Sequence, residues 1–542
     1  MNPPLPVGAA TLAEAFLRAE ALGGRPAWAS IAEHQIETDR QWSYGELFGA
    51  SRRIATGLRG LGVHEGERLA LVALPSPDYA KGMAGAILAG AAAAPVNHLF
   101  KRREMAAYLE LVRPSAVLVD SHNLPLVRES LTNLSPAPLL IGTTADVDTA
   151  VTLDGLEDAT PASPPAVSPD DAAIILHTSG TTGLPKGVVR THGAYAAFLS
   201  MWGADGYVTE GDRVLSAGPL YHQSGLTLGW LGSIALGLPF FHVSRFRAEV
   251  FWDVVRRNRI TVPLGLPAPI PERLAQLPPG PRDRDHVVRW MMCGAPLETW
   301  WRLQDQFGVS IHTGYGSTES TLVTFSAGPR DVEKRYDEKL LPPGATHAPA
   351  GTIFPGYSEY RIVRGDGSPA APGEVGAIQV RGNAVFSEYL HDPERTRAAF
   401  TDDAWFDPGD SAYVDERGSL HVLGRTKEMI RRSGENIAPR EVEVVLHEHP
   451  EILEAAVMGV PDRIRGAEIL ACIVRKPDSA LTAQDVVSFC RDQLSVFKVP
   501  RYVEFRTDLP KTSTGKVQKA LIVDAADSTR WFDRYKVEGL SK

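Results

Sequence analysis

Between His177 and His192 the chain reads HTSGTTGLPKGVVRTH, where an apolar run (Ala172 to Leu176) stops abruptly in hydroxyls, glycines and a lysine. A loop of this kind turns backbone N–H groups toward an anion. Thr178, Ser179, Thr181 and Thr182 can donate to phosphate oxygens, Gly180 and Gly183 let the backbone come close, and Lys186 adds a positive charge. It is not a Walker loop, because no glycine directly precedes Lys186 and no Ser or Thr directly follows it. Further polar clusters interrupt apolar sequence at PLYHQSG (Pro219 to Gly225), TGYGSTES (Thr313 to Ser320) and LPKTSTGK (Leu509 to Lys516).

In order along nearly the whole chain, these stretches resemble the motifs of the adenylate-forming superfamily of acyl-CoA synthetases, peptide-synthetase adenylation domains and beetle luciferases. GEVGAIQVRG (Gly373 to Gly382), WFDPGD (Trp405 to Asp410) and GRTKEMIRRSGENIAPREVE (Gly424 to Glu443) extend the match. Two positions depart from the pattern: Pro408 where Thr is usual, and Ala467 where an acidic residue commonly follows the glycine. Closest in character are bacterial carnitine-ligase-like acyl-CoA synthetases, through KVPRYVEF (Lys498 to Phe505) and the segment Arg530 to Arg534.

The resemblance implies ATP, Mg²⁺ and coenzyme A as reactants and cofactor, with a carboxylic acid activated as its acyl-AMP. Both the acid and ATP are anions, so the chemistry needs cations and oriented N–H groups. Lys516 then touches the carboxylate and the α-phosphate, Thr318 bonds the α-phosphate, and Glu319 is the metal ligand, since magnesium takes few carboxylates beside water and phosphate oxygen. Asp410 and Arg425 are the expected ribose contacts. Tyr315, followed by Gly316 and Ser317, and the turn Gly294-Ala295-Pro296 are expected around the adenine, where an aromatic face and flat backbone suit a purine. His222 is placed between acyl pocket and thiol channel, with Gly314 also beside the acyl group. Lys427 is the implied hinge, and Gly434, Glu435 and Asn436, through Ile437, the implied pantetheine channel.

One expectation concerns the size of the acid. After PLYHQSG, Gly225, Gly229 and Gly232 fall at i, i+4 and i+7, along one face of a helix. Each interior glycine costs ~1 kcal/mol relative to alanine. Either close packing or room for substrate explains them; the second reading gives a deep, mainly apolar pocket with Leu226 and Trp230 packed behind.

The elements that must position these residues are read from periodicity. Leu47, Ile54, Leu58 and Leu61 mark a helix within Gly45 to Gly62, and Arg68 to Leu74 reads as a buried strand. Met83 to Val96 suits a buried helix leading into a strand. The runs Ala116 to Val119, Ala172 to Leu176, Val214 to Ala217 and Val287 to Met292 alternate with helical patterns such as Leu226 to Leu236 and Ala248 to Arg257. The fold class is therefore α/β: a large N-terminal domain of layered subdomains over 1–424, and a small mobile α+β domain over 425–542 carrying the lysine. The Pro-rich stretch Ala159 to Pro169 is expected to link two subdomains. After Ala350, short strands at Tyr360 to Val363, Ala377 to Arg381 and Leu420 to Leu423 indicate a small β-barrel-like subdomain. The amphipathic Pro439 to His447 then precedes strands at Ala455 to Val460 and Leu470 to Val474.

With 44% hydrophobic and 22% charged residues the chain has the composition of a globular protein. A net charge of -9, from 56 basic and 65 acidic side chains, offers no basic stripe for nucleic acid. No apolar run reaches the ~20 residues of a membrane helix, and the N-terminus lacks a secretory pattern, so a cytoplasmic location is expected. Cys293, Cys472 and Cys490 are spaced for neither a disulfide framework nor zinc and are assigned to the core. The partners expected are a small carboxylic acid and CoA, with an acyl acceptor on a carrier protein in trans, or a homodimer, left open. The competing classes are a luciferase-type oxidoreductase, in which oxygen attacks the adenylate, and a binder that has lost its chemistry; intact Lys516 and Glu319 speak against the latter.

Overall fold

The computed structural model describes residues 5–32, 40–100, 102–132, 134–179, 185–204, 206–266, 269–326, 332–334, 341, 348–425, 430–432, 435–437, 439–462, 466–494, 496, 498–512, 516–524 and 528–537. The chain forms two compact units. The first holds residues 1–343, 347–360 and 380–408, and the second 344–346, 361–379 and 409–542. The division by contacts thus falls at 408/409 rather than at 424. The hairpin of Asp410–Val414 with Leu420–Arg425 pairs through Asp410↔Arg425 and Ala412↔Val422, which keeps both strands in one unit.

In the first unit, Ala92–Pro95, Arg68–Val72 and Ala116–Val119 run parallel at the middle of an eight-stranded sheet and are almost wholly buried. Runs without apolar–polar alternation are what a sheet covered on both faces requires. Helix Pro77–Leu88 starts where Ser76 accepts from the Tyr79 N–H and Pro77 occupies the first turn, and it leads into strand Ala92–Pro95 as expected. Helix Tyr44–Gly60, opened by a reciprocal cap between Ser43 and Glu46, packs against it at Gly85, where an added Cβ would lie 2.6 Å from Ile54 Cγ2. At the sheet's other end, Ala172–Ser179 and Pro185–Thr191 form an antiparallel hairpin, and Glu388–Tyr389 adds the edge strand.

A second, five-stranded sheet contains Val214–Ser216, Phe240–Val243 and Val262–Pro263 in parallel. Beside these lie the parallel pair Trp290–Met292 and Ser310–His312. The expected strand from Val287 is shorter, because Val287 is exposed and Arg289 turns out to ion-pair with Asp212 and Glu333; burial begins at Trp290.

Two further expectations are corrected. The Pro-rich stretch joins Val151–Thr152, at one edge of the eight-stranded sheet, to Ala172–Ser179 near the other edge, so it crosses one sheet instead of linking two subdomains. It lies over helix Tyr44–Gly60, through Ala162 N–H to Thr56 Oγ1 and Arg59 to the Ser163 carbonyl. The segment after PLYHQSG is a π-helix over Ser224–Leu231, followed by a single turn at Gly232–Ile234, so α-helical spacing does not hold. An added Cβ at Gly225 would sit 2.3 Å from the Gly218 carbonyl oxygen, at Gly229 3.0 Å from Ser216 Cβ, and at Gly232 3.2 Å from Trp202 Nε1. All three directions are filled by protein, which favours close packing over room for substrate as the reason for these glycines.

The second unit carries a six-stranded sheet. Its long pair Ile452–Asp462 and Gly466–Arg475 is flanked by Ile430–Arg432 with Glu435–Ile437 and by Tyr502–Arg506. Helices Pro439–His447 and Ala483–Gln493 supply Val442, Leu446, Val486 and Val487 to its core. All three cysteines are buried and unbonded to one another.

Gly225→Ala must push backbone against backbone, whereas Gly229→Ala meets side chains that can yield. Overpacking of this kind costs about 1–3 kcal/mol. Thermal unfolding should therefore show a clearly larger fall in Tm for Gly225→Ala than for Gly229→Ala. Equal shifts would contradict the contact between Gly225 and the Gly218 carbonyl.

Candidate active site

Strand ends decide where the polar motifs meet. The parallel strands Trp290–Met292 and Ser310–His312 end in register at Met292↔His312, so Gly294-Ala295-Pro296 and Thr313-Gly314-Tyr315 leave the sheet side by side. Ligands bind beyond the carboxyl ends of such strands. Gly294 is exposed with nothing within 4 Å of an added Cβ, leaving open space over that turn, while the Tyr315 side chain is buried. Gly314 behaves differently: its Cβ direction runs 2.3 Å from the Thr324 carbonyl oxygen, so packing accounts for this glycine as well.

From Gly316 to Thr321 the backbone doubles back on itself. An added Cβ at Gly316 would lie 1.5 Å from the Thr321 carbonyl oxygen, the hydroxyls of Ser317 and Ser320 face each other at 3.0 Å, and Thr321 sits at φ 45°. A β-branched residue in the left-handed region is strained, and such strain persists only where the surroundings hold it. Here Gln223 Nε2 donates to the Thr318 carbonyl at 3.2 Å, the Phe386 N–H donates to the Glu319 carbonyl at 2.7 Å, and Arg190 Nη1 donates to the same oxygen at 3.3 Å. The Tyr389 hydroxyl donates to Glu319 Oε1 at 3.0 Å. Thr318 and Glu319 are left half-buried at the tip.

The hairpin of the hydroxyl-rich loop brings its lysine to the same place. Thr178 faces Lys186 across the two strands, and Lys186 Nζ lies 5.2 Å from the centre of the Tyr389 ring, within cation–π range. Lys186, Tyr389 and Glu319 therefore form one contiguous group in the first unit. Residues 180–184, with Gly180, Thr181, Thr182 and Gly183, lie outside the described residues, as does the Ser179 side chain.

His222 is exposed at its surface, while the protein packed around the ring lowers its pKa by desolvation. Its Nδ1 accepts from the Ser224 N–H at 3.3 Å, which puts the proton of the neutral ring on Nε2. Tyr221 stacks on His177 at 5.8 Å, and burial pushes His177 down to about 4.

In the second unit, Asp410 and Arg425 are backbone partners across adjacent strands. The Arg425 side chain lies outside the described residues, as do Lys427, Gly434 and the side chains of Glu435 and Asn436. Lys516 is exposed, and its loop is closed by Thr512 N–H to the Lys516 carbonyl at 2.8 Å and Lys516 N–H to Thr512 Oγ1 at 3.1 Å. Tyr389, Gln223 and Arg190 are absent from the sequence reading. Gln223 lies inside PLYHQSG, and Arg190 is a charge in an apolar strand; nothing local marks Tyr389.

His177, His192 and His242 are each pushed down to about 4 by burial, well below an unfolded histidine. Above the unfolded pKa near 6.5 both states are neutral; below it the unfolded chain binds more protons, so stability is lost as pH falls toward 4. Most carboxylates are silent above pH 5.5. A fall in Tm between pH 7 and 5.5 is expected, and a flat profile there would count against buried neutral imidazoles.

Comparison with known proteins identifies the family. The family model described as AMP-binding enzyme matches residues 17–390, and that described as AMP-binding enzyme C-terminal domain matches residues 441–516. A crotonobetaine/carnitine–CoA ligase of Salmonella choleraesuis is 32% identical over 496 residues, covering 89% of this chain and 92% of the relative. Among solved structures, ATP-bound MatB from Rhodopseudomonas palustris aligns with a TM-score of 0.80 at 26% identity, over 95% of this chain and 98% of its own. A benzoate CoA ligase from Burkholderia xenovorans aligns with a TM-score of 0.79 at 27% identity, over 94% and 99%. The chain belongs to the AMP-binding enzyme family of adenylate-forming ligases.

Proposed function

We propose that the protein is an acyl-CoA synthetase that activates a carboxylic acid as its acyl-AMP, releasing pyrophosphate, and then transfers the acyl group to coenzyme A. The observation that carries this reading is the group formed by Lys186, the Tyr389 ring and the Glu319 carboxylate, with Lys186 following a run of hydroxyls and glycines in sequence. In the first half-reaction a carboxylate oxygen attacks the α-phosphorus of ATP and pyrophosphate leaves; in the second a thiol sulfur attacks the acyl carbonyl and AMP leaves.

The residues divide this work by charge. Thr178, Ser179, Thr181, Thr182 and Lys186 take the phosphates, Thr318 the α-phosphate, and Asp410 with Arg425 the ribose. The adenine lies on the open Gly294 turn beside Tyr315. Among the described residues no cluster of three or more His, Cys, Asp or Glu could hold a metal. A single carboxylate fits magnesium, which completes its shell with phosphate oxygens and water. Glu319 would hold that Mg²⁺, oriented by the Tyr389 hydroxyl, and the ion would neutralise phosphate charge. Lys516, exposed on its loop, is the mobile cation for the first half-reaction, and Lys427 the hinge by which the C-terminal residues present Gly434, Glu435 and Asn436 to the thiol in the second. His222, neutral with Nε2–H exposed, stands at the junction of acyl and thiol. Among the described residues no helix is long and apolar enough to cross a membrane, in keeping with diffusible substrates.

Incubating the enzyme with ATP, Mg²⁺, CoA and a panel of carboxylic acids, with mass detection, should yield AMP and a CoA thioester for at least one acid. Oxygen consumption without a thioester would replace this reading with the luciferase-type one. Lys516→Ala should lower adenylation on the order of a thousandfold, from the loss of one close cation, while thioester formation from supplied acyl-AMP is largely kept; equal loss in both would remove Lys516 from the first step. Tyr389→Phe deletes one hydrogen bond to a charged group and should reduce kcat/KM for MgATP about tenfold. An unchanged value would show that Glu319 does not depend on Tyr389.

A further inference from the structure

Arg190 lies on strand Pro185–Thr191 with no exposed surface, and among the described residues no carboxylate pairs with it. A buried charge without a counterion is expensive, and an apolar side chain would suit this position in the sequence VVRT far better. Its Nε and Nη2 have no acceptor in hydrogen-bond geometry, and beside them lie the buried hydroxyls of Tyr195 and Tyr357, whose pKa values burial raises and the Arg190 charge lowers. The guanidinium lies 5.7 Å from the centre of the Tyr195 ring, and its hydrogen bonds go to main chain: Nη1 donates to the carbonyls of Glu319 and Ala384.

Both carbonyls matter to the same residue. Ala384 opens the segment whose Phe386 N–H donates to the Glu319 carbonyl and whose Tyr389 hydroxyl donates to the Glu319 carboxylate. Lys186 and Arg190 lie four apart on one strand and so share a face. Glu388–Tyr389 pairs with that strand through Glu388↔Val189 and Tyr389↔Val188. Glu319 is thus gripped at its carbonyl and at its carboxylate from a single pair of strands, and Arg190 is the member of that grip that spans from one loop to the other.

We propose that Arg190 is a positioning residue for adenylation: its guanidinium ties the main chain at Glu319 to the loop at Ala384 and so fixes the Glu319 carboxylate relative to Lys186. This rests on the reading of Glu319 and Lys186 given above. The charge is kept in the interior because a guanidinium reaches two carbonyls at once, which an aliphatic side chain cannot do.

The test uses the full-length enzyme and Arg190→Met, which keeps an unbranched side chain and removes the charge. Arg190 leaves no buried counterion behind, so removing its charge relieves a desolvation cost, and Tm should stay about the same or rise. Amide hydrogen exchange should quicken at residues 316–321 and 384–389 while the parallel strands of the eight-stranded sheet keep their protection. KM for MgATP should rise about tenfold, with thioester formation from supplied acyl-AMP retained. Should Arg190→Met not fold, Arg190→Lys, which keeps the charge but loses the planar fork, should show the same loosening of 316–321 to a smaller degree. Unchanged exchange at 316–321 in a folded variant, or equal loss of both half-reactions, overturns the assignment. A wild-type enzyme inactive with every acid tried would count against the proposed function instead, and the exchange measurement would still decide whether Arg190 holds the loop.

Discussion

The hydrogen bonds that converge on Glu319 are the constraint around which the first unit is arranged. In the role proposed for Glu319, beside highly charged phosphates, its carboxylate cannot be left to swing, because each misplacement of a charge in such a site is felt directly in the barrier. Glu319 is fixed by Phe386 and Arg190 at its carbonyl and by Tyr389 at its side chain. The strained turn at Thr321 follows from this, since only a closed loop brings the residue's two ends within reach of one edge of the sheet. The same edge carries Thr178 and Lys186, so these two residues read as phosphate contacts share a scaffold with the carboxylate.

Packing against the parallel strands explains much of the remainder. Gly225, which a substrate pocket would have explained, brings backbone onto backbone together with Gly218 and Gly265: none of the three has room for a Cβ, and at Gly265, with φ +61°, an added Cβ would lie 2.1 Å from the Ser224 carbonyl oxygen. This seats the π-helix on two strand ends and sets His222 at its start. A π-helix widens the turn and is found most often at functional positions; here it does so directly beside the histidine.

Much of the fold was legible because apolar runs and periodic patterns are set by burial alone. The strands at Ala116–Val119 and Ala172–Ser179 and helix Ala248–Arg257 lie where their patterns put them. The Pro-rich crossing was misread because composition reports an extended segment but not which two strands it joins. The π-helix was missed because an inserted residue in each turn leaves the apolar content unchanged and alters only the spacing of the glycines. At the site, Glu319, Lys186 and Thr178 were legible from motifs, whereas Tyr389 was not: it lies 70 residues from Glu319 in sequence and is brought there only by pairing of Glu388–Tyr389 with the lysine strand. Arg190, a charge in an apolar strand, carried a signal that the sequence reading did not use, and its purpose needed the carbonyl oxygens it reaches.

Whether the enzyme forms an acyl-adenylate before any thiol is involved is decided most directly by exchange of labelled pyrophosphate into ATP in the absence of CoA. With a suitable carboxylic acid and Mg²⁺, label should enter ATP in proportion to the acid supplied, and none should enter without the acid. Label that enters only when CoA is also present, or none with any acid although CoA thioester is made, would contradict an acyl-adenylate formed at Glu319 and Lys186.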